Sequence, residues 1–286
     1  MSTSKTLIST SDLAAHLADP AFVIIDVRHD LAKADTWGET EYARAHLPGA
    51  RFVHFERDLA APKSGTNGRH PLPAPDRCAA LFGRMGIDAT KQVVAYDQGS
   101  TMYAARFWWM LRWLGHTDAA VLDGGYAAWT REGRPVTAAI PVIMPAKFIP
   151  HAVEATINAQ MVAASLATQS LLLVDARGRE RFRGDVEPLD PVAGHIPGAV
   201  NRPYTENFNA DGTYKTAGEL RAQFGTLLAG RAINDVVHYC GSGVSACHNV
   251  LAMEHAGLGR TPLYPGSWSE WCADPQRPIA CGDAIE

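Results

Sequence analysis

The sequence predicts an α/β protein built from two tandem copies of one domain, each a parallel sheet with helices on both faces. Three observations carry this. Short β-branched runs alternate with segments of helical apolar spacing, the order that gives a parallel sheet covered on both sides. Three separate segments recur at one offset of 149 residues: Ile8-Ser9 with Ile157-Asn158, Val23–Arg28 with Leu172–Arg177, and His46–Ala50 with His195–Ala199. Further on the register slips but the order holds: Val93–Asp97 matches Val236–Cys240 at an offset of 143, and Leu122–Trp129 matches Tyr264–Trp271. Self-similarity of this kind is the mark of a duplication.

Each copy opens with a helix start. Ser9 and Asn158 are suited to cap the first turn, with an apolar residue before and another four after. Val23 to Asp26 and its repeat, Leu172 to Asp175, each end in an Asp-x-Arg. The stretch from Pro62 to Pro75, with Gly65, Gly68 and four prolines, reads as a loop inside the first copy. After the strand ending at Asp97, Ala104, Phe107, Trp108, Leu111 and Leu114 fall on one helical stripe, widened by Trp109 and Trp113. Core packing is the expected role for most of them, rather than a pocket wall. Residues 133–151 hold Pro135, Pro141, Pro145 and Pro150 and little periodicity, so they read as an extended surface linker. The expected division is a first domain at 1–132, a linker at 133–152 and a second domain at 153–286.

Composition narrows the function classes. The chain has 286 residues, 47% hydrophobic and 20% charged, which is the profile of a soluble globular protein. The net charge of −4 gives no basic footprint for nucleic acid. No apolar run is long enough for a membrane helix, and the first ten residues lack the apolar core of a secretory signal. Five cysteines at irregular spacing favour reduced thiols in the cytoplasm over a disulfide framework, and without a Cys-x-x-Cys pair no metal site is expected.

The chemistry concentrates at residues 236–251. Val236–Tyr239 reads as a buried strand, and from Val244 the apolar residues Val244, Cys247 and Leu251 keep helical spacing. Between them stands Cys240, followed by Gly241, Ser242 and Gly243. Two glycines let a loop curl so that successive N–H groups of Gly241 to Ser245 point inward, as in an anion-binding nest at a helix N-terminus. Such donors favour the thiolate, the reactive form of cysteine. A merely structural turn rarely needs both glycines.

The run Cys240-Gly-Ser-Gly-Val-Ser-Ala resembles the active-site loop of the rhodanese superfamily, in the form Cys-Gly-Ser-Gly-Val-Thr-Ala that the 3-mercaptopyruvate sulfurtransferases carry; Ser245 replaces the Thr and keeps a hydroxyl. The resemblance covers nearly the whole chain and implies tandem rhodanese-like domains with catalysis in the second, because Asp97 occupies the cysteine position of the first. A carboxylate cannot carry sulfur, and Asp97 is expected to serve as a helix cap. The resemblance further implies a Cys240 nucleophile that takes sulfur from a small anionic donor as a persulfide and passes it to a thiol, thioredoxin or cyanide, with no cofactor.

Other roles follow from the same resemblance. Arg181, in Arg181-Phe182-Arg183-Gly184, takes the position of the arginine that binds the donor carboxylate. The animal enzymes place a second arginine nine residues further on; here that position is Asp190, and Arg202 is a possible substitute. Ser242 takes the place of a serine proposed to work with a histidine and an aspartate of the first domain, assigned here to His46 and Asp35, eleven residues apart. Against this, His46 and His195 share one motif, which favours a turn-fixing histidine in both copies. His238 on the buried strand reads as a core histidine, and Cys247 as packing rather than a resolving thiol.

Competing readings are weaker. A cysteine-dependent phosphatase needs an arginine six residues after the cysteine, where this chain has Ala246. A non-enzymatic interaction module of the same fold would not need the cysteine. Thiosulfate enzymes of the family tend to place basic side chains in the loop to meet a dianion, and the uncharged Gly-Ser-Gly favours 3-mercaptopyruvate.

Overall fold

A computed structural model describes residues 4–283. The chain forms two compact units. One comprises the residues up to Ala61, Pro73–Val153 and Asn209–Tyr214; the other comprises Pro62–Leu72, Glu154–Phe208 and the residues from Lys215 onward. Each sequence copy thus lends one short segment to the unit built mainly by the other.

In the first unit β1 (Leu7–Ile8) leads to α1 (Thr10–Ala14), whose first turn Ser9 caps by accepting from the Asp12 N–H. There follow β2 (Phe22–Asp26), α2 (Trp37–Arg44), β3 (Arg51–Phe52), α3 (Phe55–Asp58) and α4 (Pro75–Arg84), then β4 (Gln92–Tyr96), α5 (Met102–Trp113), β5 (Ala119–Leu122) and α6 (Gly125–Arg131). The sheet is parallel, in the order β1-β5-β4-β2-β3. Every residue of β4 and β5 is buried, as expected of strands with helices on both faces. The α5 stripe is wider than its spacing predicts: Tyr103 through Leu111 are all buried, Arg106 included. Residues 133–153 are held by main-chain bonds, from Thr137 to His46, Ala146 to Gly83, His151 to Leu114 and Val153 to Trp113, so the expected linker is part of the first unit's surface.

The second unit repeats the plan. Asn158 caps α7 (Ala159–Leu166) through the Met161 N–H. Then come β6 (Leu172–Asp175), α8 (Arg179–Arg183), β7 (Val200–Asn201), a 3₁₀ turn at Tyr204–Asn207, α9 (Ala217–Leu228), β8 (Val236–Tyr239), α10 (Ser245–His255) and α11 (Ser267–Trp271). The parallel order is β7-β6-β8. Where the first unit has the strands β5 and β1 beyond β4, this sheet continues, among the described residues, only as single parallel bridges of Leu263 to His238 and to Thr156. Pro262 and Pro265 flank that position, and proline supplies no N–H to a ladder.

The duplicated Asp-x-Arg motif has one structural job in both units. Arg28 pairs with Asp26 at 2.8 Å and Arg177 with Asp175 at 2.7 Å, all four side chains buried beneath the strand ends. Among the described residues no helix is long and apolar enough to cross a membrane.

Candidate active site

Strand β8 delivers Cys240 to its carboxyl end, where open α/β sheets hold their ligands. The loop is gripped from outside by the start of α11: Cys240 N–H donates to Ser267 Oγ at 3.1 Å, and Trp268 and Ser269 N–H donate to the carbonyls of Cys240 and Gly241, both at 2.9 Å. Gly243 is required twice over, because its φ is +75° and a Cβ there would lie 2.4 Å from the Pro265 carbonyl. Val244 then enters α10, whose first helical residue is Ser245. Among the described residues, the N–H groups of Gly241, Ser242, Val244 and Ser245 donate to no protein acceptor. Cys240 itself is buried, with 2% of its surface exposed.

The first unit makes the comparison concrete. There the equivalent loop is filled by its own carboxylate: Asp97 accepts from the N–H groups of Gly99 (2.9 Å), Thr101 (2.8 Å), Tyr103 (3.0 Å) and Ala104 (3.3 Å). Asp97 therefore caps α5, as expected, and its carboxylate takes the amides that an external anion would need. Burial nevertheless raises its pKa, the amide bonds opposing.

Ser242 has a different partner from the one expected. Its Oγ lies 2.7 Å from Nδ1 of His70, and both residues are buried. His70 lies in Pro62–Leu72, the segment of the first copy that packs in the second unit. Its backbone is anchored at the Arg69 N–H, which donates to Ser269 Oγ at 2.9 Å. The stretch read as a loop inside the first copy is thus part of the surroundings of the Cys240 loop. The only sequence signal was the slip in offset from 149 to 143, which makes the first copy six residues longer between Ala50 and Val93.

His46 and Asp35 do not form the expected relay. His46 is fully buried and both its ring nitrogens face carbonyls, Tyr42 at 2.7 Å and Ala139 at 3.2 Å, while its ring stacks on Tyr42 at 3.9 Å. His195 repeats this, with Nδ1 2.8 Å from the Phe182 carbonyl and the ring stacked on Phe182 at 3.8 Å. The shared motif fixes a turn in both copies. Asp35 is largely exposed and lies beside His54, not His46, at 3.4 Å. Both catalytic assignments are corrected: the histidine beside Ser242 is His70.

The cationic side of the site is built by three arginines and three carboxylates. Arg181 holds Glu187 at 2.6 Å and Asp190 at 3.3 Å; Arg177 reaches Glu187 at 3.2 Å from its pair with Asp175; Arg69 pairs with Asp190. Burial pushes the Glu187 carboxyl up, but the Arg181 bond and the amides of Leu189 and Asp190 prevail and hold it below its ordinary value. Asp190 goes the other way, raised by burial despite Arg69 and Arg181. A Cβ on Gly241 would sit 2.9 Å from Nη2 of Arg69 and 3.4 Å from both terminal nitrogens of Arg181, so the Arg181 side chain reaches the Cys240 loop. Arg202 does not. It is buried, bonded to Glu206, Asn207 and Gln223, and belongs to the packing of α9.

The remaining candidates are structural. His238 and His248 are fully buried, and burial pushes each down to about 3, the Arg202 charge adding to the effect. The Cys247 thiol donates to the Gly243 carbonyl at 3.3 Å from within the core. Among the described residues no cluster of His, Cys, Asp and Glu has the arrangement of a metal site.

Comparison with known proteins agrees with this architecture. The rhodanese-like domain profile matches residues 9–132 and 158–274. A Pseudomonas aeruginosa protein named "Probable 3-mercaptopyruvate sulfurtransferase" is 45% identical over 284 residues, 98% of this chain and 99% of that one. A Mycobacterium tuberculosis protein with the provisional name thiosulfate sulfurtransferase SseB is 39% identical over 287 residues, 98% of each chain. Among solved structures, SseA from Escherichia coli, described as a 3-mercaptopyruvate sulfotransferase with the rhodanese fold, superposes with a TM-score of 0.78 at 32% identity, covering 93% of this chain and 99% of that one.

Proposed function

The chain belongs to the rhodanese-like family as a two-domain sulfurtransferase, and from that premise we propose that its sulfur donor is 3-mercaptopyruvate and its sulfur carrier Cys240. The observation that carries the donor assignment is the uncharged Gly241-Ser242-Gly243 loop with the Ser242 hydroxyl 2.7 Å from His70. A carbon leaving group needs a proton, and a hydroxyl backed by an imidazole is suited to deliver one. Thiosulfate releases sulfite, which needs none.

In the proposed reaction the Cys240 thiolate attacks the donor thiol sulfur. The new S–S bond forms as the C–S bond breaks, and that electron pair leaves with the carbon fragment as the enolate of pyruvate. Ser242 supplies the proton that completes pyruvate, and His70 replenishes it. The loop amides are the donors that stabilise the negative charge of the Cys240 persulfide. Arg181 binds the donor carboxylate. A thiol, a thioredoxin or cyanide then attacks the outer sulfur and restores the Cys240 thiolate.

Thiosulfate is the second reading, favoured by the name of the 39% identical mycobacterial relative. Turnover with each donor at a fixed cyanide concentration separates the two. A higher kcat/KM for 3-mercaptopyruvate is expected; a clear preference for thiosulfate reverses the assignment.

A further inference from the structure

We propose that Arg69 is a second donor-binding cation, one that takes the place of the arginine missing at position 190, with Asp190 as the tether that holds it beside Arg181. The proposal rests on the donor reading above and extends it to a residue outside the motifs of the second copy.

Three observations support it. First, Arg69 reaches the reacting loop. Its Nη2 is the side-chain atom nearest to where a Cβ of Gly241 would lie, at 2.9 Å, with Arg181 next at 3.4 Å. The two guanidinium groups therefore converge on the residue that follows Cys240. Second, the carboxylates that align them lie beneath. Asp190 and Glu187 side chains are 4% and 3% exposed, whereas those of Arg69 and Arg181 are 20% and 21% exposed. One carboxylate of Asp190 binds Arg69 through Oδ1 and Arg181 through Oδ2. An arginine offers five N–H donors, so donors remain for a ligand after these bonds. The Arg69 Nε is buried and meets no acceptor among the described residues. Third, Arg69 is held in place through its main chain. Its N–H is bound by Ser269, and a Cβ on the preceding Gly68 would lie 2.8 Å from the Gly266 carbonyl, so the segment is pressed against α11.

The charge balance points to the class of ligand. Arg69, Arg177 and Arg181 face Asp175, Glu187 and Asp190, a group neutral in sum when all are ionised. Such a site has strong local donors without a large net field. It fits a monoanion that also carries a neutral acceptor, as a 2-oxo acid does with its carboxylate and oxo oxygen, better than a dianion. Arg181 takes the carboxylate and Arg69 the oxo side.

The test is steady-state kinetics of Arg69→Met and Arg69→Lys in the full chain, with cyanide as acceptor, together with inhibition by pyruvate, which keeps the carboxylate and oxo group but has no sulfur to give. In Arg69→Met the donor KM and the pyruvate inhibition constant should both rise about 10- to 100-fold, as when a charged hydrogen-bond partner is lost. The cyanide KM should stay within about twofold. Arg69→Lys keeps the charge and the Asp190 pair but not the planar fork, and should lie between. It also serves if Arg69→Met fails to fold. A folded variant with donor KM and pyruvate inhibition both unchanged would overturn the proposal. The two readings fail separately: a wild-type preference for thiosulfate removes the 2-oxo-acid donor, while unchanged constants in a wild type that prefers 3-mercaptopyruvate remove Arg69 alone.

Discussion

Adding one methyl group at Gly241 probes the cationic side of the site without touching the cysteine. The Gly241 φ lies outside the left-handed region, so alanine is conformationally acceptable there. Its Cβ would stand 2.9 Å from Nη2 of Arg69 and 3.4 Å from the Arg181 nitrogens. Contacts of this kind relax near 3.5 Å, so Arg69 must retreat by about 0.5 Å and Arg181 by less. Both are ends of flexible side chains, so the cost to folding should stay within about 0.5 kcal/mol. Donor binding should suffer more. Charged hydrogen bonds contribute about 1.5–3 kcal/mol each, and partial misalignment of two guanidiniums should cost about 1–2 kcal/mol, or about 5- to 30-fold in donor KM. Pyruvate formation at varied 3-mercaptopyruvate gives KM and kcat, and thermal melting gives stability. The expected result is a raised KM with Tm and kcat nearly unchanged. An unchanged KM would refute the reasoning, and a lower Tm with unchanged KM would make Gly241 a packing residue.

The proton relay predicts that Ser242→Ala and His70→Ala each slow pyruvate formation, by about 10²- to 10⁴-fold, and that the double variant is little worse than either. Thiosulfate-driven turnover should lose less; equal losses with both donors would discredit the relay. The core of the second unit should also be acid-sensitive. His238 and His248 are neutral in the fold, pushed down to about 3, whereas in the unfolded chain they titrate near 6.5. The unfolded state therefore binds more protons below that value, and the stability these groups allow is present above pH 6.5 and lost as pH falls towards 3. Denaturant unfolding between pH 6 and 4 should show a loss of about 1.4 kcal/mol per pH unit for each histidine. Half that slope would place one of them in contact with solvent, and a flat profile in that range both.

The parts of the fold that repeat locally were legible in the sequence. Val93–Tyr96 and Val236–Tyr239 are strands because β-branched runs buried on both faces have few alternatives, and the Ser9 and Asn158 caps form as their spacing predicts. Cys240 and its glycines were legible because chemistry and turn geometry demand the same residues. The partners Arg69 and His70 were not. They lie in a proline- and glycine-rich stretch without periodicity, and which unit such a segment joins is decided by long-range contacts such as Arg69 with Ser269 and Asp190. The His46 assignment failed for a related reason. A His-x-Pro-Gly motif looks catalytic when read once, but its twin at His195 makes the same carbonyl bond and the same ring stack, which a duplicated turn explains. Arg202 failed because a charge near the site in sequence was already committed to Glu206, Asn207 and Gln223.

Intact-mass measurement before and after treatment with 3-mercaptopyruvate, in the absence of any acceptor, tests the sulfur carrier most directly. Wild-type protein should gain the mass of one sulfur atom, lose it on addition of cyanide, and show the modification at Cys240 after proteolysis. Cys240→Ser should gain nothing and turn over no donor. A Cys240→Ser protein that still forms pyruvate and thiocyanate, or a wild type whose added sulfur resides on Cys247 or Cys272, would contradict the account.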